Sequence, residues 1–151
     1  MPGLAAGSFG LHDGAIMASS DIFALQLKGK GGHAAAPHLA QDIVLAGASL
    51  VQSLQQVVAR NVDPIAAAVL SVTCFQAGSA ENILPSEALL KGTVRAFDEQ
   101  TRAKVQLRLS EVAQATAKAH NIEIEVDYIR QYPATVNTPD NVALVSSVAE
   151  D

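Results

Sequence analysis

The chain has 151 residues and a formal charge of -5, so it offers no basic footprint for nucleic acid, and no apolar run in it approaches the roughly 18 residues of a membrane span. Nearly half of the residues are hydrophobic, yet Trp is absent and only 4% are aromatic, which points to one aliphatic core in a domain of ordinary size. The single Cys74 excludes an internal disulfide and a multi-cysteine zinc site, and without a basic-then-apolar leader the expected compartment is the cytoplasm.

Residues 1–20 are rich in Gly, Ala and Ser, lack a period, and read as loop with room for a short strand. The Pro2-Gly3 turn signal has nothing before it to turn from, as if the opening were cut from something longer. Asp21–Lys28 alternates, with Phe23, Leu25 and Leu27 on one side, and reads as a half-buried strand. A glycine-rich segment, 29–38, follows. Asp42 then caps a predicted helix running to about Arg60, with Ile43, Leu50, Leu54 and Val57 on one face and Gly47 allowing close approach to a sheet. Ala66–Ala77 is β-rich but apolar on both faces, so its period does not orient it. After a turn at 78–82, Glu87–Phe97 alternates with Ala88, Leu90, Val94 and Ala96 inward. Asp98 caps a second helix to about His120, and a last strand turns Ile122, Ile124, Val126 and Tyr128 inward. Asn137–Asp151 begins another helix.

The order β-α-β-β-α-β fits an α+β, ferredoxin-like fold: one four-stranded antiparallel sheet with both helices on a single face. Right-handed crossovers place the second strand, Ala66–Ala77, at an edge. That strand has no charge, and no Lys, Pro or evident bulge blunts it. It is expected to pair with its own copy across a two-fold axis.

The segment Gly29-Lys30-Gly31-Gly32-His33-Ala34-Ala35-Ala36-Pro37-His38 surrounds an imidazole with small residues. Glycine serves where a side chain will not fit or φ must be positive. Two readings stand: a turn with a solvated histidine, or a loop that presents His33 to a ligand or a second chain. His33 and His38, with Asp42 behind them, fall short of the three ligands that a catalytic zinc site needs, so no metal site is expected within this chain. There is no G-x-S-x-G, no P-loop and no Cys paired with a base; His12-Asp13 is a chance pair. His120 at a helix C-terminus suits the dipole. Arg60 reads as a surface charge. Arg95, on the outer face of an inner strand, is well placed to meet a ligand or partner. Asn82, in Gly-Ser-Ala-Glu-Asn-Ile-Leu-Pro, makes a local turn hydrogen bond in the simplest reading.

Taken in order, the 29–38 segment, Arg60-Asn61-Val62-Asp63-Pro64, Gly78-Ser79-Ala80-Glu81-Asn82-Ile83-Leu84-Pro85 and Gly92-Thr93-Val94-Arg95 resemble the small lid (dimerisation) domain of the zinc-dependent amidohydrolases. That family includes aminoacylase, hippurate hydrolase, auxin-conjugate hydrolases and related carboxypeptidases. The resemblance covers Asp21 to Tyr132 and implies a lid/dimerisation domain over 21–132, flanked by pieces of a catalytic domain at 1–20 and 133–151. It implies that a divalent metal, zinc or similar, and a Glu base belong to that separate catalytic domain, so that this chain alone holds no cofactor and is not active alone. It implies a homodimer whose His33 reaches the partner's active site and stabilises the oxyanion formed as an amide is attacked. Asn82 would contribute to the substrate site, with His38, Arg60 and Arg95 as second-rank candidates for contacts to the substrate carboxylate or for holding the loops; the substrate would be an N-acyl amino acid or peptide. The competing expectations are a stand-alone ferredoxin-like module that binds a small ligand, and an enzyme complete in itself.

Overall fold

A computed structural model describes residues 3–150, Glu150 by its backbone alone. Pro2 of the expected opening turn and the terminal Asp151 lie outside the described residues. Among the described residues there are three α-helices, one 3₁₀ turn and three sheets. The main sheet has four antiparallel strands in the order β4-β6-β2-β7, where β2 is Ser20–Lys28, β4 is Ala68–Ala77, β6 is Glu87–Ala96 and β7 is Glu123–Tyr132. Helix α1 (Ile43–Asn61) lies over β4 and β6, α2 (Glu99–Ala119) lies over β6 and β7, and the two helices touch. This is the ferredoxin-like plan, with the Ala66–Ala77 segment at an edge as expected.

The helix ends follow the sequence. Asp42 accepts from Leu45 N–H at 2.8 Å and Asp98 from Thr101 N–H at 2.7 Å, each satisfying one of the unpaired amides of a first turn. The Asp98 carboxyl is held below the usual range, chiefly by its bond from the Thr101 amide. Inward residues of β2 and β6 meet both helices in one aliphatic core: Leu25, Leu27, Ile43, Leu54, Leu90 and Leu109 are fully buried. At Gly47 the approach of helix to sheet is made by Phe75, whose Cζ would lie 2.5 Å from an added Cβ.

The edge strand departs from the expectation in one respect. Its register against β6 slips between Val72 and Cys74, with Thr73 as the extra residue. This is a β-bulge, and it changes the parity of the strand. Ala68, Leu70 and Val72 face the core before it; Phe75 and Ala77 do so after it, opposite Leu90 and Ala88. The apolar residues on both nominal faces are thereby explained: the strand has one core face, interrupted by an inserted residue.

The flanks also contribute structure. β1 (Gly14–Met17) pairs antiparallel with β8 (Thr135–Asn137), Gly14 opposite Asn137, and Asn137 donates to the His12 carbonyl at 3.0 Å. The ribbon straps together the two segments that enter and leave the sheet. α3 (Pro139–Glu150) follows, with Leu144 and Val148 exposed.

Candidate functional site

The glycine loop is pinned to the turn that holds Asn82. Gly32–His33 forms a two-residue strand, β3, antiparallel to β5 (Ile83–Leu84), with His33 opposite Ile83. Ala34 N–H then donates to the Asn82 carbonyl at 3.0 Å. Two segments some fifty residues apart are thus brought side by side at one end of the main sheet. The glycines are there for space, since none of the three in this loop has positive φ. A Cβ on Gly31 would lie 2.7 Å from the Leu84 carbonyl oxygen, which would prevent β3 from reaching β5.

The imidazole of His33 is exposed, and its Nδ1 accepts the Ala35 N–H at 3.0 Å. A ring nitrogen that accepts carries no proton, so in the neutral ring the proton sits on Nε2. The loop therefore presents an N–H donor, Nε2–H, away from its own backbone. The His33 carbonyl accepts from Ala36 N–H at 2.9 Å, closing a turn immediately before Pro37. Asn82 is exposed, and among the described residues its side-chain amide makes no hydrogen bond. The simplest sequence reading had that amide closing the turn; the turn is held through the Asn82 main chain instead. His38 is exposed in a single 3₁₀ turn, Pro37–Leu39, of the same loop.

Arg95 is elsewhere. It lies at the far end of β6, opposite Val69, whereas the β6 residue next to the glycine loop is Glu87, paired with Lys28. Eight residues of strand separate the two ends, about 26 Å. The Arg95 guanidinium donates to the carbonyls of Val94 (2.9 Å) and Asp21 (3.3 Å) and to the Thr93 hydroxyl. Beside it is a concavity of about 390 Å³, lined among others by Val58, Asp63, Pro64, Val69 and Phe97. Arg60 is exposed and donates to the Ala59 carbonyl.

One cluster has no counterpart in the sequence reading. Asp21 is fully buried and accepts from Arg102 Nε at 2.9 Å, from Arg102 Nη2, from the Tyr128 hydroxyl at 2.8 Å and from Gln131 N–H at 3.4 Å. Burial alone would raise its pKa. The Arg102 and Tyr128 hydrogen bonds and the Arg102 charge outweigh that and hold the carboxyl below its ordinary value. Burial and the neighbouring Asp21 carboxylate push the Tyr128 hydroxyl well up. The cluster sits where the chain enters and leaves the sheet, next to Ser20, whose hydroxyl donates to Gln131 at 3.0 Å. Asp21 is fully buried and both of its carboxylate oxygens are paired, so it reads as a clamp.

No group of three or more His, Cys, Asp or Glu among the described residues converges as a metal site would require; His33 and His38 share the glycine loop, and His12 and His120 lie on other segments. The donors among the described residues do not form a set that fits a metal centre. No helix among the described residues is long and apolar enough to cross a membrane.

Comparison with known proteins agrees with this geometry. The family model described as the peptidase dimerisation domain matches residues 12–121. The chain is 40% identical over 143 residues to hippurate hydrolase of Campylobacter jejuni, covering 95% of this chain and 37% of that protein. It is 38% identical over 141 residues to N-acetyldiaminopimelate deacetylase of Bacillus licheniformis, covering 93% and 38%. Its fold matches the Bacillus subtilis YXEP protein, described as a dinuclear metal binding peptidase, with a TM-score of 0.77 at 28% identity, over 99% of this chain and 36% of that one. The chain thus spans a little over a third of the length of these relatives. A match running from His12 to Asn121 takes in α1, α2, the glycine loop, the Asn82 turn and three of the four strands of the main sheet, and on it the chain belongs to the peptidase dimerisation domain family.

Proposed function

We propose that this chain is the lid and dimerisation module of an amide-hydrolysing metalloenzyme, and that His33 acts in the active site of the partner subunit. The observation that carries the reading is the β3–β5 pairing: it sets His33 beside the Asn82 turn, with Nδ1 already occupied and Nε2–H outward. Such a donor, fixed before the reaction, is what an oxyanion site needs where charge develops at the scissile carbonyl. Asn82 adds an exposed side-chain amide at the same end. Substrates of the class named by the relatives, N-acyl amino acids or peptides, carry an amide and a carboxylate. Arg95 and His38 are assigned to the carboxylate. Since about 26 Å of strand separates Arg95 from the His33 loop, the two ends of one sheet serve different active sites. The metal, zinc or similar, and the base are assigned to a catalytic domain, of which 1–20 and 133–151 are the flanks and 21–132 the inserted lid.

The partner is a second copy of this chain, joined along β4. Helix α1 has no charged side chain from Ile43 to Ala59, and β4 has none at all. Together they form an uncharged flank with Val44, Leu45 and Val69 exposed, the pattern of a surface meant for burial. The bulge at Thr73 leaves regular strand on either side of it for pairing. Sedimentation equilibrium is expected to show a dimer, and Val69→Lys, which sets like charges on the joined edges, should raise the dissociation constant at least about tenfold. A wild-type monomer at high concentration would overturn the interface. Calorimetry with zinc should show no tight site on this chain; one tight zinc per chain, abolished by His33→Ala, would overturn the division of labour. The trans role itself is tested by the activity of mixed dimers.

A further inference from the structure

We infer that Gln41 is a positioning residue for His33, bracing the glycine loop against the turn between α2 and β7; the inference deepens the reading of His33 as a donor and rests on it. The loop that carries His33 leaves β2 after Lys28 and leads into α1 at Asp42, with Lys30 and Gln41 at its neck. At that neck Gln41 N–H donates to the Lys30 carbonyl at 2.8 Å, and the Gln41 side-chain Oε1 accepts the Lys30 N–H. Both main-chain groups of Lys30 are thereby tied to one residue. The other end of the same amide, Nε2, donates to the carbonyl of Asn121. Asn121 is the only non-glycine residue with positive φ among the described residues, at 54°, a conformation that ends α2 and turns its carbonyl to the loop.

The brace needs a side chain that accepts at one atom and donates at another, with the reach of two methylenes. Glu keeps the acceptor and loses the donor; Asn is too short; Met fills the space and does neither. The surroundings are shaped to admit it. A Cβ on Gly29 would lie 2.9 Å from Gln41 Oε1 and 2.8 Å from Ile43 Cδ1, and one on Gly32 would lie 2.8 Å from the Ala40 Cβ. Two of the three loop glycines thus make room at the neck, a role separate from that of Gly31 at β5. The hydrogen bonds of Gln41 go to Lys30 and Asn121, none of them to His33. It acts by fixing where the loop leaves and rejoins the body of the domain.

The test compares Gln41→Met, Gln41→Glu and wild type in this chain, reading amide hydrogen exchange at Lys30 and imidazole ¹⁵N shifts of His33. Gln41→Met should speed exchange at Lys30 about fivefold, the factor one hydrogen bond of ordinary net strength confers, and should move the His33 ring toward the tautomer mixture of free imidazole. Gln41→Glu should restore protection at Lys30 only in part. Unfolding midpoints should differ little, because the amide lies at the surface. Unchanged exchange and unchanged ¹⁵N shifts in Gln41→Met would overturn the brace. In the intact enzyme Gln41→Met should lower kcat while leaving KM unchanged, and a KM effect alone would count against a positioning role. Should His33→Ala leave kcat intact while Gln41→Met still loosens Lys30, the donor reading fails and the brace survives.

Discussion

Asp21→Ala is expected to destabilise the domain by about 3–5 kcal/mol, the cost of removing one partner from a buried ion pair. The variant leaves the Arg102 guanidinium, with only 6% of its side chain exposed, without its carboxylate, and it removes the acceptor for the Tyr128 hydroxyl and the Gln131 amide. Glu99, which Arg102 also reaches at 3.4 Å, is well exposed and is shared with Arg130, so it compensates only in part. Urea denaturation at pH 7 measures the effect, and a chain of this size should lose roughly 6–20 °C in Tm. Replacing both partners by apolar residues, Asp21→Leu with Arg102→Met, should recover much of the loss, since the desolvation of both charges goes with the pair. The pH dependence has a definite sign. The folded-state carboxyl titrates below its unfolded counterpart, so its stabilisation is fully present above the unfolded pKa of about 4 and is lost as the pH falls through the folded value. Wild type should therefore lose stability below about pH 4 more steeply than Asp21→Asn. Equal stability of wild type and Asp21→Ala would mean that the clamp contributes nothing.

The clamp also shows why part of the architecture was hidden in the sequence. Periodicity reports which face of an element is buried; with the capping signals it placed α1, α2, β2 and β6 to within a residue or two of their observed ends, and it gave the inward set of β7. It does not report which charged residue will be buried with which. Asp21 opens an alternating strand and Arg102 lies in the first turn of a helix 81 positions later; each alone looks like a surface charge or a cap. The bulge in β4 misled in a related way. One inserted residue at Thr73 shifts the inward set from even to odd positions, so a strand with a single core face looked apolar on both and without a blunting device. The two-residue strands β3 and β5 are too short to carry a period at all, and the β1–β8 ribbon joins segments more than a hundred residues apart. His33 was legible as a candidate because the small residues around it leave its imidazole uncovered, whereas Asn82 read locally as a turn former and became a candidate only through the family resemblance. That their loops pair with each other follows from the close approach at Gly31, which sequence reading could place only as one of two roles of glycine.

His33→Ala in the intact enzyme is expected to lower kcat by roughly 10²–10³, the usual loss for one oxyanion donor. Because the interaction forms mainly in the transition state, kcat and kcat/KM should fall together. Fold and dimerisation should be unchanged: the imidazole is exposed, and what it gives up is one hydrogen bond, from the Ala35 amide. The β3–β5 pairing runs through main-chain atoms and survives the substitution. Metal content should be unchanged as well, because His33 belongs to no cluster of ligands among the described residues. Mixing His33→Ala subunits with subunits that lack the catalytic base then separates the two possible geometries. If His33 serves the partner, the mixed dimer holds one site with an intact base that receives an intact His33 from its neighbour, and that site should work. A random mixture of equal amounts makes half of all dimers mixed, with one working site in each, so about a quarter of wild-type activity should return from two nearly dead parents. If His33 serves its own subunit, the site with the base lacks the imidazole and the site with the imidazole lacks the base, and the mixture stays inactive. An inactive mixture in which mixed dimers are shown to form therefore returns the glycine loop to the plainer reading, a tight turn with a histidine in solvent.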